Sequence, residues 1–190
     1  MSAAIFDNQY FEKTDFTSSG LPKGAYNNCT FKNCNFYEAD ISGYVFRECV
    51  FDHCDLSLVS LKNTTFHDVS FSHCKMLGLQ FNLCNEFLFS VNFNNCILKM
   101  AVFYALKLKK YKFGDCDLQE ADFTEADLSG SAFLNCDLYR TIFYNTNLEK
   151  ADFTTSFNYS FDPERNRVKK ARFSRNGVLG LLQKYNLEIE

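Results

Sequence analysis

The chain has 190 residues, a mass of 22.0 kDa, a formal net charge of -3 and a pI near 5.7. At 46% hydrophobic residues it is too apolar for a tail or linker, and its acidic balance disfavours a general nucleic-acid binder, which needs a basic face for phosphates. The start MSAAIFDNQYFEK carries acids and no long apolar core, and no later stretch is apolar over the roughly 18 residues a membrane span needs, so a soluble cytoplasmic protein is expected.

A five-residue period begins at once. Phe6, Phe11, Phe16, Leu21, Tyr26, Phe31, Phe36, Ile41, Phe46, Phe51, Leu56, Leu61, Phe66, Phe71, Met76 and Phe81 are all large and apolar. Two residues before such a centre stands something small, as at Cys29, Ala39, Cys49, Thr64, Ala121, Ala126, Ser131 and Ala151. In extended chain a centre and its small neighbour face the same side, while the residue between them faces water. Around Leu21-Pro22-Lys23-Gly24-Ala25-Tyr26 the small-residue rule lapses, which predicts a frayed or looped first coil. Tyr44, Glu86 and Tyr111 also break the rule by size.

Between Phe81 and Leu88 the step is seven, a two-residue insertion in FNLCNEFL where a bulge is expected. Beyond it Leu88, Phe93, Leu98, Phe103, Leu108, Phe113, Leu118, Phe123, Leu128, Phe133, Leu138, Phe143, Leu148 and Phe153 alternate strictly. By chance so long a run would arise about once in ten billion trials.

A period of five belongs to neither helix nor strand, so each unit is a short extended piece followed by a bend. Cysteines recur every twenty residues, which closes one coil with four units. Allowing for the insertion, Cys34, Cys54, Cys74, Cys96, Cys116 and Cys136 form one inward column, and Phe31, Phe51, Phe71, Phe93, Phe113, Phe133 and Phe153 another, with Phe173 one further step on. The two Pro, Pro22 and Pro163, leave the central backbone free to donate to a continuous ladder. An all-β parallel β-helix of about seven and a half coils, roughly 36 Å long, is predicted over residues 1–153. Residues 154–190 then hold a last coil and a cap of short helices and an edge strand through Leu187 and Ile189.

Chemistry is sparse. Nine cysteines lack any CxxC pair, and eight occupy the small inward place, so packed, reduced thiols are expected rather than a metal site or disulfides. His53 and His73, twenty apart, each adjoin a column cysteine but point away from it, and are expected as stacked, solvated rings; His67 lies elsewhere. No cofactor motif, nucleophile elbow or His-containing triad is present, and a filled convex solenoid offers no cleft for paired acids to work as acid and base, so the chain reads as a non-enzyme. The acids Asp115, Asp117, Glu120, Asp122, Glu125, Asp127 and Asp137 are the densest charge, with bases at Lys99, Lys107, Lys109, Lys110 and Lys112 before them and from Arg165 to Arg175 after. They are read as an outward acidic face.

The run CDLQEADFTEADLSG, Cys116 to Gly130, resembles the A(D/N)LXX units of the pentapeptide-repeat family, which implies a right-handed, four-sided parallel β-helix. The tail resembles more narrowly the Qnr quinolone-resistance proteins and their mycobacterial relatives within that family: Asp162-Pro163-Glu164-Arg165-Asn166, a basic stretch, then Leu181-Leu182. That resemblance implies a homodimer joined at the C-terminus, here through Val178, Leu179, Leu181, Leu182 and Tyr185. It also implies a DNA-mimicking role on DNA gyrase or topoisomerase IV, with no direct contact to nucleic acid or membrane. The chain lacks a long loop between coils, and protection and inhibition of gyrase are both open at this point. A generic protein-interaction scaffold is the alternative.

Overall fold

A computed structural model describes residues 4–87 and 89–188; Leu88 and Ile189, expected as a repeat centre and part of an edge strand, lie outside the described residues. The chain divides into two compact units, one up to Leu98 and one from Lys99 onward, and each is a parallel β-helix of the right-handed, four-sided kind that the repeat predicts.

In the first unit the strands are β1 (Ala4–Asp7), β2 (Tyr10–Glu12), β3 (Gly24–Asn27), β4 (Thr30–Lys32), β5 (Val45–Arg47), β6 (Val50–Asp52), β7 (Thr65–His67), β8 (Val69–Ser72) and β9 (Val91–Asn94). One side is the parallel ladder β1-β3-β5-β7 and the next is β2-β4-β6-β8-β9. Partners lie twenty residues apart, as in Phe31↔Phe51, until β8 meets β9 with Phe71↔Phe93. The extra two residues leave the ladder through a 3₁₀ turn at Phe81–Leu83 and a bulge at whose tip Phe87 is 75% exposed.

The second unit carries β10 (Lys112–Gly114), β11 (Ala132–Leu134), β12 (Asp152–Phe153) and β13 (Arg172–Phe173) as one side. Its other three sides are single-residue bridges: Asp117↔Asp137↔Phe157, Val102↔Asp122↔Ile142, and Lys107↔Asp127↔Asn147↔Arg167. All four columns step by twenty, so one coil is four five-residue sides.

What bends the chain at most corners is one residue with left-handed backbone, two places after the centre. Asn33, His53, His73, Asn95, Met100, Ala105, Lys110, Asp115, Glu120, Glu125 and Asn135 all have φ between 51° and 61°. Asn, Asp and His tolerate this region best, but Ala and Met at the same place show that the fold imposes it on less suitable residues.

The interior explains the Leu/Phe alternation. Phe113, Phe133, Phe153 and Phe173 stack at 5.1, 4.9 and 5.3 Å, and Phe103, Phe123 and Phe143 stack at 4.7 and 5.5 Å. The two stacks meet edge to face across the coil, Phe113 to Phe123 at 5.7 Å and 80°, the favoured geometry for aromatic quadrupoles. Rings therefore take two opposite sides, and Leu108, Leu118, Leu128, Leu138 and Leu148, all buried, take the other two.

The small inward place does more than save space. Cys54 Sγ donates to Phe31 O at 3.3 Å, Cys74 Sγ to Phe51 O at 3.3 Å and Cys136 Sγ to Phe113 O at 3.4 Å, each reaching the centre of the preceding coil. Thr64, Ser131, Thr141, Thr146 and Ser156 hydroxyls make the same reach at 2.6 to 2.9 Å. Tyr44, too large by the packing rule, is buried and donates its phenol to Leu21 O, the same kind of acceptor reached by a longer arm. All nine cysteines are free and buried, and burial pushes the Cys49 and Cys84 thiols up to about 12.

At the start of the chain the coil is better formed than expected. β1 and β2 pair in register with β3 and β4, Asp15 bridges Asn35, and irregularity is confined to residues 17–23. Gly24 is required there, since a Cβ would lie 2.4 Å from Ala4 O.

Ala105 is exposed, with φ 57°, so its corner strain can be tested free of packing. Ala105→Val should destabilise by about 1–2 kcal/mol while Ala105→Gly should be neutral or stabilising, read as urea midpoints. Equal loss in both variants would contradict the corner argument.

Candidate interaction surface

The outward acids sit one residue before a centre, and their first task is local. Asp117 Oδ1 accepts from Gln119 N–H at 3.2 Å, Asp122 from Thr124 at 2.8 Å, Asp127 from Ser129 at 3.1 Å and Asp137 from Tyr139 at 3.1 Å. These are Asx turns, which close each side onto the next corner. Asp15, Asp40, Asp55 and Asp152 do likewise, accepting from Thr17, Ser42, Ser57 and Thr154. The sequence held a signal for this in the Ser or Thr two residues on, as in Asp40-Ile41-Ser42 and Asp122-Phe123-Thr124.

The seven acids do not form one face. Asp117 and Asp137 are bridged neighbours on one side, Asp122 belongs to the next and Asp127 to the one after, while Asp115, Glu120 and Glu125 occupy corners. A five-residue step turns a corner, so residues close in sequence are dealt to different sides. Stacking follows the twenty-residue step alone.

Charge is also partly cancelled between coils. Lys99 Nζ lies 3.2 Å from Asp117 and Lys109 Nζ 3.3 Å from Asp127, while Arg167 pairs with Glu149 at 2.8 Å and Arg172 with Asp152 at 3.1 Å. Among the described residues Asp115, Glu120, Asp122, Glu125 and Asp137 carry no ion pair. Their neighbours are neutral: Asp137 accepts from Gln119 Nε2 at 2.7 Å and Asn158 Nδ2 at 2.8 Å, Asp115 from Asn135 at 3.0 Å, and Glu125 from the Tyr104 hydroxyl at 2.9 Å. These contacts orient the carboxylates without cancelling their charge.

The C-terminal cap consists of 3₁₀ turns, Pro163–Arg165, Gly177–Leu181 and Gln183–Tyr185, and Leu187 is exposed rather than in an edge strand. Gly180 lies so close to Tyr159 O that no Cβ fits, and Lys184 binds Asp162 at 2.6 Å and Glu164 at 2.8 Å, which holds the cap against the last coil. Of the expected dimer residues, Leu181 is buried at 8% exposure, because it anchors the cap from within, and Leu182 is half-buried. Val178, Leu179 and Tyr185 are exposed, and Leu179, Leu182 and Leu187 line a shallow groove. Among the described residues no helix is long and apolar enough to cross a membrane.

A family model described as "Pentapeptide repeat region" matches residues 24–86 and 87–157. No curated protein matches by sequence. Among solved structures, a trypsin-treated variant of QnrB1, a plasmid-mediated fluoroquinolone resistance protein, is similar at 19% identity over 100% of both chains with a TM-score of 0.62. Full-length QnrB1 gives 18% identity over 97% of this chain and 100% of its own, TM-score 0.46. HetL, a pentapeptide repeat protein involved in heterocyst differentiation regulation in Nostoc sp. strain PCC 7120, gives 16% over 90% of each chain, TM-score 0.44.

Partial burial pulls the Asp127 carboxyl upward, but the Ser129 hydroxyl and N–H and the Lys109 ammonium outweigh it and hold the group below the usual carboxylate range. A depressed folded-state value means that the unfolded chain binds more protons, so this stability is full above the unfolded Asp value of about 3.9 and is lost as pH falls through the folded one. The thermal midpoint should therefore fall with acidification below about pH 4, and more shallowly in Asp127→Asn. An identical slope in that variant would show that Asp127 contributes nothing to the acid limb.

Proposed function

The chain belongs to the pentapeptide-repeat family, and we propose that it is a non-enzymatic binding protein that docks on a cytoplasmic type II topoisomerase, DNA gyrase or topoisomerase IV. There it modulates supercoiling or shields the cleavage complex from quinolones. The observation that carries this reading is the set of acids without cation partners on the second unit, with Asp137 stacked one coil from Asp117 and held by amides. The resemblance of residues 162–182 to the Qnr tail supplies the link to the enzyme, and the fold is one that QnrB1 shares. The likeness to DNA lies in sign and regular spacing rather than density, since coils repeat about every 4.8 Å and a duplex carries a charge about every 1.7 Å.

Two copies join through Val178, Leu179 and Tyr185, with Leu182 and Leu187 at the edge of the same surface; Leu181 holds the cap beneath it. Such an arrangement lets two acidic surfaces face one symmetric enzyme. Light scattering should give twice the chain mass at micromolar concentration, and Leu179→Asp should give the single mass. A monomeric wild type refutes the joint.

The test on the enzyme uses Asp117→Asn with Asp137→Asn, because Asn keeps the Asx turn and removes only the charge. Wild type should alter gyrase supercoiling or quinolone-stimulated cleavage at several-fold molar excess. The double variant should need several-fold more protein and show a weaker salt dependence, since counterion release scales with the charges neutralised. If wild type changes neither reaction, the topoisomerase reading fails. The cation pairs Lys99–Asp117 and Lys109–Asp127, which lower the negative field, then favour the second reading, a scaffold for an unrelated protein.

A further inference from the structure

Outside the acidic surface, one cluster of side chains has a geometry that neither packing nor local turn closure requires. His53 and His73 stand at the same corner of successive coils in the first unit, both with φ 53°, and their backbones are tied by His53 N–H to Ser72 O at 2.9 Å and His73 N–H to Asn94 O at 3.0 Å. The left-handed corner projects both rings outward, where they stack with centroids 4.4 Å apart and planes 17° from parallel. Each ring turns its Nδ1 toward one atom, Asp52 Oδ1, at 2.8 Å from His53 and 3.3 Å from His73. The ligand atoms of the three residues lie within 4.8 Å of one another, and both rings are about half exposed.

We propose that Asp52, His53 and His73 bind a borderline divalent transition-metal ion of the Zn²⁺, Ni²⁺, Co²⁺ or Cu²⁺ class, which clamps two neighbouring coils together. Each His and its adjoining Cys face opposite sides, so those two cannot share an ion. The pairing that matters runs between coils, from His53 to His73. Two imidazole nitrogens and one carboxylate suit borderline ions and not Mg²⁺ or Ca²⁺, which take mostly oxygen. At metal–nitrogen distances of about 2.0–2.1 Å, two ligands on a tetrahedral centre stand about 3.3 Å apart. The lone pairs lie in nearly parallel ring planes, so both rings turn about their side-chain bonds to converge on the ion, and their half exposure leaves them room to do so. The ion takes each Nδ1 lone pair in the tautomer that carries the ring proton on Nε2. Asp52 Oδ1 then turns from acceptor to third ligand, or holds a metal-bound water. Solvent completes the shell, since the corners on either side are Asn33 and Asn95. Lys32, in register with Asp52 on the coil before, opposes the ion and keeps affinity moderate.

Titration calorimetry with NiCl₂ and with ZnCl₂ on the full-length reduced protein should give one saturable site at micromolar metal. His53→Ala and His73→Ala should each abolish it, Asp52→Asn should weaken it by about tenfold or more, and His67→Ala should leave it intact. All four positions are on the surface, and circular dichroism of each variant confirms the fold independently. Ni²⁺ should broaden the imidazole signals of His53 and His73 and spare that of His67, and should raise the unfolding midpoint of wild type but not of His53→Ala. Binding that persists in both His variants would place the ion on thiols and overturn the proposal. So would the absence of saturable binding up to millimolar metal.

Discussion

Everything in this protein depends on the left-handed corner. An extended chain has no reason to turn every five residues, and L-residues pay about 1–2 kcal/mol to hold the backbone that turns it. That cost recurs at nearly every side of every coil and has to be met by the interior. Each corner aligns the next extended piece with its counterpart twenty residues away, so its strain is offset by ladder hydrogen bonds and by a buried ring or branched side chain. Repetition makes this possible, because a coil with unlike corners would not lie in register on its neighbours.

The same geometry accounts for the residues between corners. A coil this narrow admits one large side chain per side; in the second unit Phe stacks occupy opposite sides and Leu fills the others, while in the first unit the stacks through Phe46 and Phe51 stand on adjacent sides. The carbonyl of each centre points where a small donor from the next coil reaches it, and Cys, Ser and Thr all meet that need. Alanine at the place, as at Ala121 and Ala126, keeps the volume and gives up the bond. Thiols here are hydrogen-bonding parts of the wall, and their depressed acidity at Cys49 follows from being enclosed by it.

Much of this was legible in the sequence. The five-residue spacing of large apolar residues and the twenty-residue recurrence of Cys and Phe lead directly to the coil, its sides and its inward columns. Three features were not legible. The acids from Asp115 to Asp127 are contiguous in sequence but lie on successive sides, because proximity along the chain turns corners while proximity in space follows the column. The role of Asp in closing the turn depends on a backbone N–H, which composition does not reveal. Leu181 and Leu182 look alike in an apolar segment, and only the 3₁₀ winding of the cap decides that Leu181 points in. Tyr44 shows the opposite case, where a residue of the wrong size satisfies the rule because its hydroxyl finds the right carbonyl.

The departure at Phe71↔Phe93 shows how such a chain tolerates change. Two surplus residues are thrown out as a loop, and the strand that follows, β9, rejoins its column with Phe93 beside Phe71. Had the surplus been kept within the ladder, inward and outward places beyond it would have been misassigned from that point on. A change in length is thus tolerated by the fold in two forms: whole coils of twenty residues, and odd residues confined to loops. The tip at Phe87 stands in solvent and is free to diverge, whereas Phe81 and Cys84 at the root of the loop are buried and are not.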